Sequence, residues 1–222
     1  MDIRNEIGNE AHNNDADLFA DVAALTIHDV KNNLNQLAND AEARGDLASM
    51  KVALHACESL TELLCFYRSE THHLHLQIDA HDPSEMLTDL LENLPRSLRE
   101  QSGIKLDLDL DQAPGIAFYD RNLIQMVLAN ALQNAMRFAR SSVALGAKTH
   151  LDRLEFFVQD DGPGYPQSVL DDRDAYSPIT RNGTGLGLRL AHRVLSMHEN
   201  NGLHGEIVLS NRGGALFQLF LP

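Results

Sequence analysis

The chain has 222 residues, 43% hydrophobic and 5% aromatic, an ordinary globular composition with room for a long-helix part and one compact domain. Its formal charge is −14, and the 5 basic and 13 acidic residues of 1–70 and the 13 and 19 of 71–222 leave neither part the basic field that nucleic acid requires. The polar N-terminus has no apolar signal core, and no run approaches the roughly 20 apolar residues of a membrane span, so the expectation is a soluble cytoplasmic protein with no membrane insertion.

Residues 1–17 read as a polar tail. Ala20, Ala23, Ile27, Val30, Leu34, Leu37 and Ala41 then recur at alternating steps of three and four, the seam of one helix. Gly45 and Asp46 supply a stop and an N-cap, and Met50, Ala53, Cys57, Leu60, Leu64 and Tyr67 repeat the alternation. The spacing predicts an antiparallel helical hairpin over 18–70. Two such helices cannot bury both stripes alone, so a second copy completing a four-helix bundle, a homodimer, is expected. Cys57 and Cys65 lie about 12 Å apart on one helix, beyond the reach of a disulfide, and are expected as free thiols. His72, His73 and His75 lack the accompanying carboxylate or thiolate spacing of a metal site and read as a polar linker.

Residues 71–222 read as a second domain. Leu74, Leu76 and Ile78 alternate as in a short strand. Asp82-Pro83-Ser84-Glu85 opens a helix expected to run to about Gln101 and to end at Gly103. Ile104 to Leu110 alternates strictly, Gly115 to Tyr119 gives another strand, and Asp120 caps a long helix ending near Ala139. Ser142–Thr149 and Arg153–Gln159 read as a hairpin. A polar loop from Asp161 to Gly183 leads into a helix over Leu186–His198, and Glu206–Ser210 with Ala215–Leu221 closes the chain as a second hairpin. The fold class is α+β, an open mixed sheet under helices.

Four local patterns carry chemistry. His28-Asp29-Val30-Lys31-Asn32 places an imidazole beside a carboxylate and one turn before an amide: a nucleophile, a group to hold or accept its proton, and a group to orient a water or an incoming carboxylate. Alone, such a triplet is usually a solvated surface histidine. Asn130, Asn134 and Arg137 share one helix face, where amide oxygens suit a Mg²⁺ ion and a guanidinium suits phosphate. Asp160-Asp161-Gly162-Pro163-Gly164 ends a strand with glycines that let backbone approach a flat ring and a carboxylate able to accept from an adenine amino group. Gly183-Thr184-Gly185-Leu186-Gly187 precedes a helix whose first amides suit phosphate. The last run lacks the preceding strand of a dinucleotide fingerprint, and no GxxxxGK[ST] exists in the chain.

In this order, the patterns over 18–222 resemble the core of two-component sensor histidine kinases, with the GHKL (Bergerat) ATP-binding fold shared by gyrase, Hsp90 and MutL proteins. The resemblance implies a dimeric four-helix bundle followed by an α/β sandwich that binds ATP and Mg²⁺. His28 looks like the phosphorylated residue of an H box, with Asp29 and Asn32 as its catalytic neighbours. Asn130 to Phe138 looks like the N box, implying Mg²⁺ coordination by Asn134 and Asn130 and phosphate contact by Arg137. Asp160, Gly162 and Gly164 look like the G1 box, with Asp160 on the adenine. Tyr176 to Arg181 is similar to a degenerate F box, and Gly183, Thr184, Gly185, Leu186 and Gly187 look like the G2 box.

The chain departs from the family in carrying Asn33 where the usual H box has proline, and Asp29 where one subfamily has arginine directly after the histidine. The resemblance implies autophosphorylation at His28 and transfer to an aspartate of a response-regulator receiver domain in trans, with a phosphatase role toward it. With no sensor or receiver fused to the core, the signal is expected through a separate sensory or regulatory protein, a ligand or the tail. Two other classes compete: a histidine phosphotransfer or scaffold protein with a non-catalytic ATP-like domain, and a GHKL-type serine kinase, which would need neither the hairpin nor His28.

Overall fold

The structure, a computed structural model, describes residues 26, 27, 29–70, 74–94, 103–171 and 186–222. His28, Gly183, Thr184, Gly185, the F-box stretch Tyr176 to Arg181, and Ala20 and Ala23 of the expected seam lie outside them. The chain divides into two units, Met1–Leu74 and His75–Pro222.

In the first unit, helix α1 (29–43) turns back into α2 (Leu47–Glu70). Gly45 sits at φ 69°, in the left-handed region that glycine enters without cost. Asp46 N donates to Ala41 O at 2.8 Å, closing α1, and Asp46 Oδ1 accepts from Ser49 N at 3.1 Å, opening α2. Ala38 and Ala41 pack on Met50 and Ala53, flanked by Leu47 and Leu54, and Cys57 Sγ meets Asn35 Oδ1 at 3.5 Å farther along. Both cysteines are free thiols, as expected. The expected seam thus holds at Ala41, Met50, Ala53 and Cys57. It shifts at Ala38, which is buried while Val30 and Leu37 stay exposed at 39% and 46%. Small side chains at Ala38 and Ala41 let the two helices close on a narrow strip, which turns the larger neighbouring residues outward.

The second unit is a five-stranded mixed sheet under helices. Its strands are β2 (Lys105–Gln112), β4 (Ser142–His150), β5 (Arg153–Asp160), β8 (Glu206–Asn211) and β9 (Ala215–Leu221), in the order β2-β4-β5-β9-β8. Only β2 and β4 run parallel; the other pairs are antiparallel. The register lines up apolar rows across the sheet, Leu145 with Val158 and Phe217, and Ala147 with Phe156 and Leu219. These side chains are buried. Over the rows lie α3 (Pro83–Glu92), α4 (Arg121–Phe138) and α6 (Leu186–Met197), the last two burying Ile124, Leu128 and Leu132, and Leu190, Val194 and Leu195. A short helix α5 (Gln167–Asp171) follows β5. On the opposite sheet face the carboxylate of buried Glu155 is met by Lys148 Nζ at 3.3 Å and Gln218 Nε2 at 2.7 Å.

Two expectations change, and one element is new. Residues 74–78 are not a strand; β1 is Asp79–His81 and pairs with β3 (Ala117–Tyr119). The reason is a distant partner: Gln77 N donates to Asp120 Oδ2 at 2.8 Å and not to a neighbouring strand. The helix opened by Asp82 ends at Glu92, with Asn93 as C-cap, and residues 95–102 lie outside the described residues. A small hairpin, β6 (Glu199–Asn200) and β7 (Leu203–His204), follows α6 around Asn201-Gly202, both at positive φ.

The N-terminus of α4 is fixed by one buried node. Asp120 Oδ1 accepts from Leu123 N at 3.0 Å as the N-cap, while its Oδ2 holds Gln77. Asp120 N donates to His198 Nε2 at 3.1 Å, so that nitrogen carries no proton, and His198 Nδ1 donates to Val194 O at 2.9 Å. Burial lowers the His198 pKa, against the opposing pull of the Val194 carbonyl and Asp120; burial lowers that of His192 as well. A histidine held neutral in the fold takes its proton more readily when unfolded. Its stabilising contribution is therefore complete above about pH 6.5 and is lost as pH falls toward the folded pKa. The thermal midpoint is expected to drop between pH 7 and pH 5. His198→Gln should flatten that slope without removing it, because His192 contributes in the same direction; an unaltered slope in calorimetric scans would refute the assignment to His198.

Candidate functional site

Helix α4 is the common wall of the site. Its buried stripe faces the sheet and turns Asn130, Asn134 and Arg137 to the other side, with Asn134 and Arg137 exposed. Asn134 Nδ2 donates to Asn130 Oδ1 at 2.8 Å, an interaction that leaves the Asn134 carbonyl oxygen outside the pair. Arg137 lies over the Phe138 ring, 5.5 Å from its centroid.

Against this wall stands the start of α6. A Cβ added to Gly187 would meet Asn130 Nδ2 at 2.1 Å, so only glycine fits here while the Asn130 side chain keeps its position. The expected G2 and N-box residues Gly187, Asn130 and Asn134 are thus brought together. Leu186, the first residue of α6, is half-buried.

The other end of the wall meets the loop after β5. A Cβ on Gly162 would meet Phe138 O at 2.4 Å, so this glycine lies directly on the C-terminal carbonyl of α4. Asn130 and Phe138 are eight residues apart, about 12 Å along the helix, which spaces the two glycine contacts. Asp160 is buried, and its Oδ1 accepts from Gly162 N at 2.7 Å and Ala215 N at 3.1 Å. Among the described residues its Oδ2 has no donor. Gly164, at φ 83°, completes the turn.

Some contributors escape local reading. Asp161 accepts from Arg140 N at 2.7 Å, from Ser141 N at 3.0 Å and from the Ser141 hydroxyl at 2.5 Å. The Ser141 hydroxyl and these amides hold its carboxyl well below the usual carboxylate range. Ala215 and Asn211 belong to the hairpin that closes the sheet, and nothing in their spacing pointed to the site. Asp29 and Asn32 are exposed on α1 in the first unit. No cluster of metal-ligating His, Cys, Asp and Glu side chains occurs among the described residues.

An aspartate at a strand end, two glycines pressed on one helix and an amide pair on that helix define a nucleotide-binding α/β layer domain. Residues 119–222 match the family described as histidine kinase-, DNA gyrase B-, and HSP90-like ATPase. The sensor protein PhoQ of Escherichia coli (strain K12) is 32% identical over 137 residues, covering 59% of this chain and 27% of PhoQ. The chain spans about a quarter of the length of the curated relatives it matches. Among solved structures, full-length ShkA in complex with AMPPNP superposes with a TM-score of 0.67 at 22% identity, over 91% of this chain and 45% of that one. The Acinetobacter baumannii histidine kinase AdeS gives 0.58 at 22% identity, over 86% and 94%. These two likenesses establish the fold. Residues 119–222 of the second unit thus match an ATPase family that includes histidine kinases, and this part of the chain is similar to the sensor protein PhoQ. No helix among the described residues is long and apolar enough to cross a membrane.

Replacing Gly187 tests whether its closeness to Asn130 is functional. In Gly187→Ala the methyl forces Asn130 to rotate and separates it from Asn134, whereas alanine suits a helix at least as well as glycine. The expected outcome is an unchanged or raised thermal midpoint with an affinity for Mg²⁺-ATP about tenfold weaker, the equivalent of one lost polar contact. Equal affinity in calorimetric titration would show that the contact is only packing.

Proposed function

We propose that the chain is an ATP-dependent protein-histidine kinase that phosphorylates itself on His28 and passes the phosphoryl group to an aspartate of a separate receiver domain. The observation that carries the reading is the convergence of Asn130, Asn134 and Gly187 on one wall that also meets the Asp160 loop. The donor set fits the ligands. Asn134 offers an amide oxygen beside Asn130, as a hard cation prefers, and Asp160 keeps one carboxylate oxygen for an adenine amino group. Mg²⁺, when bound, neutralises charge on the phosphates during transfer. Arg137 adds a guanidinium for phosphate, and Leu186 and Gly187 supply backbone amides at the start of α6.

In the transfer step, an imidazole nitrogen of His28 forms a bond to the γ-phosphorus, the bond to the β–γ bridging oxygen breaks and ADP leaves. Asp29, adjacent in sequence, accepts the imidazole proton. Asn32 is uncharged and three residues on; it orients water for attack on the phosphorus of a phosphorylated receiver, releasing inorganic phosphate and the free aspartate. The proposed domains are a tail over 1–17, a phosphotransfer hairpin over 18–70 and an ATP-binding domain over 71–222. The exposed Val30, Leu37, Val52 and Leu63 of the hairpin support its pairing with a second copy. Cytoplasmic placement accords with dependence on ATP and on a receiver in trans.

Incubation with labelled ATP should yield an acid-labile label that His28→Ala abolishes while nucleotide binding persists. Undiminished label on that variant would refute the acceptor. Asp29→Asn is expected to slow self-phosphorylation by about 10²- to 10⁴-fold, the usual contribution of a general base, whereas Asn32→Ala retains much of it and loses phosphatase activity toward the receiver. Equal loss of kinase activity in both variants would overturn that division.

A further inference from the structure

Asn211, the last residue of β8, reaches back to the loop that follows β5. Tyr165 N donates to Asn211 Oδ1 at 2.7 Å, and Asn211 Nδ2 donates to Tyr165 O at 3.0 Å. One side-chain amide thus satisfies both backbone groups of one residue, the two-bond hold that a neighbouring strand would otherwise supply. The preceding Gly164 is tight against it. A Cβ there would meet Asn211 Oδ1 at 2.6 Å and Cγ at 2.7 Å, so the glycine answers to Asn211 as well as to its positive φ.

The same turn holds the beginning of the loop. Ala215 N donates to Asp160 Oδ1 at 3.1 Å, Gln159 Nε2 donates to Arg212 O at 2.8 Å, and a Cβ on Gly214 would meet Asp160 O at 1.9 Å. The stretch from Asn211 to Ala215 therefore grips the Asp160–Tyr165 loop at both ends. Asp160 is fixed by backbone and by burial; the far end, at Gly164 and Tyr165, relies on Asn211. Burial, with the Asp160 carboxylate nearby, also raises the pKa of the Tyr165 phenol.

We infer that Asn211 is a positioning residue for base recognition, holding the Asp160–Tyr165 loop in the form that accepts adenine. This rests on the reading of the second unit as an ATP site. Adenine presents an amino group to the Asp160 carboxylate, whereas guanine presents a carbonyl oxygen there, so loop placement governs the preference between them. Phosphate and metal contacts, assigned to α4 and the start of α6, are common to both nucleotides and do not change with Asn211.

The test is calorimetric titration of the full chain, with Mg²⁺, against non-hydrolysable analogues of ATP and GTP. Wild type is expected to prefer the ATP analogue. Asn211→Ala should bind it about tenfold more weakly while changing little toward the GTP analogue, so that the preference narrows. Asn211→Asp, which keeps the acceptor for Tyr165 N and loses the donor to Tyr165 O, should fall between. Unchanged affinity for the ATP analogue in Asn211→Ala, or an equal loss for both analogues, would overturn the role of Asn211 while leaving the ATP site intact. A wild-type chain that takes up neither analogue, or shows no preference, would overturn the adenine reading of the site itself.

Discussion

Helix α4 is held at both ends by aspartates from outside its own span, and the second unit depends on that double hold. A helix leaves its first amides and last carbonyls without internal partners, so the places where it is tied to its surroundings are its termini. At one end Asp120 satisfies Leu123 N and Gln77 N while its own amide is taken by His198. At the other, Asp161 collects Arg140 N and Ser141 N just past the helix, and Gly162 lies against the Phe138 carbonyl. With both ends fixed, Asn130 and Asn134 cannot slide relative to Gly187, and Gly162 cannot drift from the helix end. Each group is an ordinary surface-type residue; the placement makes the site.

Much of the second unit was legible because its signals are local. Strict alternation in Ile104 to Leu110 identified β2, Asp82-Pro83 and Asp120 marked two helix starts, and the pairing of β8 with β9 followed from two apolar runs flanking Asn211 to Gly214. Misreadings arose where a backbone group found a distant partner. Leu74 to Ile78 alternates like a strand, yet Gln77 N is used by Asp120, 43 residues away. Asp79-Ala80-His81 has no apolar alternation at all but pairs with β3. The β6–β7 hairpin did carry an Asn-Gly turn signal, on strands of two residues each, too short to show a period.

The site follows the same rule. Asn130, Asn134, Asp160 and Gly187 could be read from spacing because each sits in a patterned stretch whose neighbours serve the same purpose. Asn211 and Ala215 could not, since their partners Tyr165 and Asp160 lie 46 and 55 residues away and a turn rich in glycine reads as a turn whatever it touches. In the hairpin unit the period of the seam was legible, but not which of two adjacent stripes closes within the chain. Alanine at positions 38 and 41 decides it through the close approach it permits, leaving Leu37 and Val30 for the second copy proposed above.

The central claim is that the wall formed by α4, with the Asp160 loop at one end and the start of α6 at the other, holds ATP and its metal. It is tested most directly by a crystal structure of the chain with a non-hydrolysable ATP analogue and Mg²⁺. The account predicts the adenine amino group within about 3 Å of Asp160 Oδ2, an ordinary hydrogen-bond distance, and the metal bound to the Asn134 amide oxygen at about 2.1 Å. A nucleotide seated away from Asp160, or a metal that touches neither Asn130 nor Asn134, would contradict it.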